Sequence, residues 1–394
     1  MLIFPLRNRW GILATLFFSR MTMAFQFQSV AALANPYMDY LAINLSEIGF
    51  LIGLYFIPGL FIALPGGAIG KFFGDKRTII FGLVLMVAGA AIVWASLTWE
   101  MQLTGRIVGG IGGTILNVLM SKLVVDYFKD NSLNVAMGIF VTSWPIGIAV
   151  ALLCLPMIFE LSSFQAALFS ITALTVFALA LFTCFVPTNV NEAMAKNAAT
   201  ALRGKALLGL LLLALVWAFY NGAIAMIFGF ATPILSEKGM AYTEASKLTG
   251  LTLWIIAIAV PIGGFMADKF NSPKTFIAIS LTGFAITMPL VILTQNYLIV
   301  FICMGIMAGL PAGPIMGLPA KVLNQGNSAF GMGLFFTVYY LVMVLSPFFA
   351  GWFSDVQGTA SFALFIGIGM LGLALLSLFL FQGLKPNHAS LKNL

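Results

Sequence analysis

Arg20 has the strongest claim to chemistry in this chain. It lies in FFSRMTMAFQFQ, residues 17–28, and the run from about Trp10 to Leu33 carries no other formal charge. A guanidinium at the centre of an apolar membrane helix costs about 2.5–3.5 kcal/mol on insertion scales. Snorkelling does not relieve it, because from mid-span the stem covers only about four residues of rise. Arg20 must meet a partner or a water-filled cavity, and that makes it a candidate counter-charge for a solute. Thr15, Ser19, Thr22, Gln26 and Ser29 recur at intervals of four, three, four and three residues, one polar stripe on the same helix. Arg20 flanks that stripe.

A second row follows at Arg106, Gly110, Gly113, Asn117 and Ser121, spaced four, three, four and four. The glycines suit close helix contact, and Asn117 and Ser121 suit a cavity wall. Arg106 falls about one turn into its span, close to the outer surface, where interfacial placement or packing serves as well as solute contact. In ALVWAFYNGAIAM, residues 214–226, Trp217 and Asn221 stand one turn apart with Tyr220 beside them. Trp144 and the pair Tyr339–Tyr340 add aromatic faces of the kind a cation or a flat solute meets. Lipid contact or packing accounts for each aromatic equally well. The candidate solute-binding set is Arg20, Gln26, Asn117, Trp144, Trp217, Asn221, Tyr339 and Tyr340.

Other chemistries find no support. Cys154, Cys184 and Cys303 have no metal-ligand spacing and are expected to be small buried residues. The single histidine, His388, is in the polar tail, and no Asp or Glu falls in mid-span. Glu47 and Asp126 stand near span ends. No catalytic constellation, phosphate-binding loop, cofactor motif or metal site emerges, so an enzyme is not expected.

These residues need membrane helices to position them. Of 394 residues, 61% are hydrophobic and 8% charged, with a mean hydropathy of +1.06, a composition of integral membrane proteins. Twelve runs of spanning length occur, at roughly 10–33, 48–70, 79–98, 103–125, 134–157, 164–186, 206–230, 248–267, 275–294, 297–320, 331–353 and 361–383. The first reads as a retained helix, since no small-residue cleavage site accompanies it. Proline punctuates the spans at Pro58, Pro65, Pro145, Pro261, Pro311, Pro314 and Pro319, where kinks are permitted. The longest polar stretch, residues 187–205, falls at the midpoint, which divides the chain into bundles at 1–186 and 206–394. With both termini in the cytoplasm, fifteen of the nineteen Lys and Arg lie on the cytoplasmic side. Topology thus explains the net charge of +7 without a nucleic-acid partner.

The halves repeat one another. GGAIGKFFGDKR, residues 66–77, and GGFMADKFNSPK, residues 263–274, each follow the second span of their half. Their offset of 197 residues places Trp217 opposite Arg20. GGFMADKF resembles the signature loop of the major facilitator superfamily, with Gly264, Asp268, Lys269 and Phe270 in place, and Arg106 with Gly110 and Gly112 resembles its fourth-helix pattern. FQFQS (25–29), SKLVVDYF (121–128), SWPIGIA (143–149) and TVYYL (337–341) are similar to the cyanate-permease and nitroimidazole-transporter-like branch. The resemblance implies an all-α membrane protein of twelve helices in two pseudo-symmetric bundles, with helices 1, 4, 7 and 10 lining a central cavity. It also implies cytoplasmic gates at Asp75, Arg77, Asp268 and Lys269. The first-half loop departs from the pattern: Lys71 stands at the acidic position, and the acid appears at Asp75. The fifth helix, with Trp144-Pro145-Ile146-Gly147, lacks the Gly-Pro-x-Gly-Gly pattern of drug antiporters.

The expected function is secondary or facilitated transport of a small anionic or polar solute by alternating access. The place is the bacterial inner (cytoplasmic) membrane, the partners are the solute and the bilayer, and a monomer is expected. Efflux of hydrophobic or cationic drugs ranks second, because a cation calls for an acidic partner in the cavity. A non-transporting nutrient sensor is the alternative of another class. With no titratable group in the cavity, exchange or facilitated diffusion is expected rather than proton coupling.

Overall fold

The structure, a computed structural model, describes residues 8–43, 45–128, 132–187, 202–324 and 326–384, without the side chains at 35, 45, 46, 66–72, 242, 243, 246 and 355. Most of the 187–205 linker, the Lys71 side chain and His388 lie outside the described residues.

Every described element is helical. The first half comprises α1 (Arg9–Ala32), α2 (Ala34–Leu41), α3 (Leu45–Leu54), α4 (Ile57–Phe73), α5 (Asp75–Ala95), α6 (Trp99–Phe128), α7 (Leu133–Leu161) and α8 (Phe164–Phe185). The second comprises α9 (Gly204–Glu237), α10 (Tyr242–Lys269), α11 (Pro273–Leu293), α12 (Tyr297–Gly309), α13 (Ala312–Gly317) with a 3₁₀ turn (Leu318–Lys321), α14 (Ser328–Gln357) and α15 (Phe362–Gly383). Eleven stretches among the described residues are long and apolar enough to cross a membrane. α1 is the twelfth span by length, with 24 residues. Arg20 and the polar residues around it keep it less apolar than the others. The short α2 has no counterpart among the expected spans.

Two spans are interrupted. The second breaks between α3 and α4 at Tyr55–Phe56, and there Pro58 has no N–H to offer the Leu54 carbonyl. The tenth breaks at Leu310–Pro311. Pro145, Pro156, Pro233, Pro261, Pro289 and Pro347 stay inside continuous helices. Proline alone therefore does not interrupt these spans.

Helices of each half pack chiefly on one another, with α1 on α7, α5 on α6, and α9 on α14 and α15. The halves meet along α7 with α10 and α13, and along α4 with α14. Glycines permit the approach. A Cβ at Gly264 would strike the Asn134 carbonyl, one at Gly333 would lie 2.6 Å from the Ala63 carbonyl, and one at Gly138 3.0 Å from the Val260 carbonyl. All of these contacts are near the face that bears the start of α1 and the linker, here the linker face. At the other end of the same helices, Gly49, Gly53, Gly250 and Gly351 have no atom within 4 Å of a Cβ position. α3 makes no packing with α14 comparable to that of α4. The halves are in contact near the linker face, and among the described residues the α4–α14 packing has no counterpart between α3 and α14 at the opposite one.

Candidate functional site

The site starts from a backbone defect. Pro145 in α7 has no N–H, so the carbonyl of Val141, four residues before it, loses its helical partner. Arg20 of α1 supplies one: Nη1 donates to the Val141 carbonyl at 3.1 Å, to the Phe140 carbonyl at 3.2 Å and to Ser143 Oγ at 3.2 Å. Nε donates to Asn117 Oδ1 of α6 at 3.2 Å. Asn117 passes the connection across the middle of the molecule, since its Nδ2 donates to the Tyr340 hydroxyl of α14 at 3.3 Å.

All of these acceptors are neutral. The guanidinium is 5% exposed, has no carboxylate partner, and leaves Nη2 without a partner among the described residues. Its Cζ stands 4.8 Å from the Phe140 ring centre and 5.7 Å from that of Trp144. Aromatic rings continue from there into the second half. Trp144 lies 6.0 Å from Phe56, Phe56 6.0 Å from Tyr340, Tyr340 5.1 Å from Tyr339, and Tyr339 6.3 Å from Trp217. The Tyr340 ring occupies the space that a side chain at Gly59 would need. Arg20 also interacts electrostatically with Tyr339 and Tyr340. One buried cation, held from the first half, thus faces an aromatic wall contributed by both.

This geometry gathers Arg20, Asn117, Trp144, Tyr339, Tyr340 and Trp217. Asn221 is half-buried behind Trp217 and turns its Nδ2 to the Trp217 carbonyl at 2.8 Å. Gln26 lies elsewhere: its Nε2 donates to the Met86 carbonyl at 3.0 Å, and its Oε1 accepts from Tyr55 at 3.3 Å. The polar stripe of α1 is buried but largely serves itself. Thr15 donates to the Gly11 carbonyl, Thr22 to that of Ser19 and Ser29 to that of Gln26. Phe56 and Phe140 are the members that the sequence did not single out. Among 37 phenylalanines they carry no mark of their own, although the spacing from Phe140 to Trp144 is one helical turn.

A family model described as the Major Facilitator Superfamily matches residues 16–248 and 214–393. The chain belongs to the major facilitator superfamily. It is a multi-pass membrane transporter of small solutes and not an enzyme. Relatives in this superfamily include a lysosomal dipeptide transporter, MFSD1, of Danio rerio, 24% identical over 93% of this chain and 86% of the relative. A probable nitrate transporter, NarT, of Staphylococcus haemolyticus is 23% identical over 83% of this chain and 86% of its own. Among solved structures, FucP in its outward conformation superposes with a TM-score of 0.76 at 15% identity, covering 94% of this chain and 98% of that one. The human organic anion transporter MFSD10 superposes with a TM-score of 0.74 at 15% identity, covering 96% and 100%.

Within the superfamily fold, the remaining charges near the gates include one contact between the halves and a buried cluster inside the first half. Asp268, at the end of α10, accepts from the Asn134 side chain and from the Val135 backbone N–H, the latter at 3.0 Å. Its negative charge caps the start of α7, where the helix dipole favours it. Lys269 and Arg77 are exposed. Asp75 is buried, and Lys122 of α6 pairs with it and with Asp126, the second contact at 2.9 Å. Its carboxylate is engaged inside the first half.

Of the roles left open for Arg106, interfacial placement, packing or solute contact, the geometry matches packing. It is 3% exposed, and each nitrogen holds a backbone carbonyl: Nε that of Leu51 at 3.0 Å, Nη1 that of Gln26 at 2.8 Å, Nη2 that of Phe27 at 3.0 Å. Its Cζ lies 4.7 Å from the Tyr55 ring centre. The long side chain reaches inward and ties α6 to the Leu51 carbonyl, one turn before the break at Tyr55–Phe56, and to two carbonyls of α1. The expectation for the cysteines is corrected. All three are exposed free thiols on outer helix surfaces, where a weakly polar thiol meets hydrocarbon at little cost.

Proposed function

We propose that this transporter carries a small anionic or polar solute across the cytoplasmic membrane, with the linker face toward the cytoplasm and Arg20 as the solute's counter-charge. The observation behind this reading is the unused edge of Arg20: a buried positive charge with neutral acceptors on three sides and no partner for Nη2. At 4 Å and an effective dielectric constant of about 20, an anion there gains about 4 kcal/mol of Coulomb energy. Arg106 is no rival, since all its nitrogens are engaged. Among the described residues no acidic side chain accompanies the aromatic wall, which disfavours a cationic drug. The relative described as a probable nitrate transporter agrees with an anion.

Alternating access follows from the asymmetry of the interface. In this structure the halves touch near the linker face, where Asp268 grips the start of α7, and among the described residues the α4–α14 packing has no counterpart at the other. Closure over the solute would bring the open ends together and release the Asp268 contact. A solute anion neutralises Arg20 and favours closure, while the empty site disfavours it, so exchange is the expected mode. Proteoliposomes test this. Loading the lumen with the substrate anion should accelerate uptake of labelled anion, with no dependence on an imposed pH gradient. Accumulation driven by a pH gradient alone, abolished in Asp126→Asn or Glu47→Gln, would replace exchange with proton coupling. Failure of every small anion to bind would reject the anion reading.

A further inference from the structure

Two of the unused polar groups around the central site, Arg20 Nη2 and Trp217 Nε1, can only donate. Arg20 Nη2 offers only N–H donors. Tyr339 is 8% exposed and its hydroxyl has no partner among the described residues. Trp217, 3% exposed, buries its indole Nε1–H with no acceptor among the described residues. An indole N–H can donate and cannot accept. The acceptors nearby are occupied: Asn117 Oδ1 by Arg20 Nε, and the Tyr340 hydroxyl by Asn117 Nδ2. The surfaces between these groups are ring faces.

Resting on the anion reading above, we infer that the solute is a two-ended flat anion: its charged end lies on Arg20 Nη2, and a second hydrogen-bond acceptor at its far end takes the Trp217 Nε1–H. A buried N–H without an acceptor is disfavoured, so its retention beside the site is accounted for by an acceptor that arrives with the solute. A flat, unsaturated body fits because ring faces attract other rings in stacked or edge contact and repel a compact, strongly hydrated anion. The two donors come from opposite halves, so one bound solute ties α1 to α9. Trp217 is then a specificity residue: it rejects an otherwise identical anion that lacks the distal acceptor.

Two probes that differ only there are benzoate and isonicotinate, the latter with a ring nitrogen opposite the carboxylate. Binding to purified wild-type protein is measured by calorimetry at pH 7.5, with nitrate, formate and acetate as simple anions and benzylammonium as a cation of matching size. Isonicotinate is expected to bind about tenfold more tightly than benzoate, the worth of one well-made hydrogen bond. Trp217→Phe keeps a ring and removes the N–H. It should bring the affinity ratio of isonicotinate to benzoate down to about one, while an unchanged melting temperature certifies the fold of the variant. Equal binding of the two in the wild type, survival of the preference in Trp217→Phe, or binding of benzylammonium overturns the inference. If simple anions bind and Arg20→Gln abolishes that binding while neither aromatic acid binds, the two-ended solute is wrong and the anion reading stands. If no anion binds, or Arg20→Gln changes nothing, both fall.

Discussion

The two halves share a fold plan and differ in what they bury. Among the described residues, every buried Lys, Arg or Asp belongs to the first half: Arg20, Asp75, Arg106 and Lys122. The buried polar groups of the second half are hydroxyls and Asn327, and its largest buried side chains are rings such as Tyr220, Phe335 and Tyr340. At the repeat offset, Trp217 stands where the first half has Arg20. Lys122, which ends the fourth span in an ion pair, is matched by an exposed Lys321. Charge inside a membrane protein demands fixed partners. The first half is therefore cross-braced by directional contacts, whereas the second packs by shape and supplies a ring-lined wall. A rigid half that holds the charge and a smoother half that closes over it is a physically sensible division for a carrier.

The largest effect expected from breaking this division is at Lys122. Lys122→Met leaves two carboxylates facing each other and should destabilise the protein by about 3–5 kcal/mol, seen as a large fall in melting temperature in detergent. Lys321→Met, its exposed counterpart, should stay within about 0.5 kcal/mol. Equal effects would mean that the halves are braced alike. Arg106→Gln comes next. It frees three carbonyls, that of Leu51 in α3 and those of Gln26 and Phe27 in α1, and a loss of about 2–4 kcal/mol is expected, with solute affinity changed only a few-fold. Loss of binding without loss of stability would move Arg106 into the site.

Asp268→Asn tests the contact between the halves. It removes the charge from the start of α7 while keeping an acceptor, for a weakening of about 1 kcal/mol. Maximal exchange rate should change more than affinity. Asp75→Asn, by contrast, should act chiefly on stability, because that carboxylate is paired within its own half. Pro145→Ala is the smallest and most local change. It returns an N–H to the Val141 carbonyl, competes with Arg20 Nη1, and should weaken solute binding about fivefold without destabilising α7.

These pairs also mark how far the sequence could be read. Spans such as α8 and α15 came within a residue or two of the expected 164–186 and 361–383, because length and hydropathy alone decide them. Arg20 was legible because a mid-span charge has no innocuous explanation. Its partners were not. The link to Val141, 121 residues away, depends on Pro145 in the same helix, and the sequence marked that proline only as a place where a kink is permitted. Lys122 and Asp126 stood at a readable i, i+4 spacing, but Asp75 joins them from 47 residues off. The polar stripe of α1 misled because Ser and Thr can return their hydroxyls to the preceding turn. For Arg106 the sequence left packing, interfacial placement and solute contact open, because depth along a span says nothing of which way a long side chain reaches.

The affinity of Arg20 variants for the best-bound small anion tests solute recognition most directly. Arg20→Gln removes the charge and should also loosen the ties to Asn117 and α7, so thermal stability is recorded alongside calorimetry. If Arg20 is the counter-charge, Arg20→Gln lowers affinity at least about 100-fold. Arg20→Lys, which keeps the charge without the fork, should fall between, and Arg106→Gln should stay within a few-fold of wild type. Folded Arg20→Gln protein that binds the anion as tightly as wild type would show that the guanidinium only braces α1 against α6 and α7.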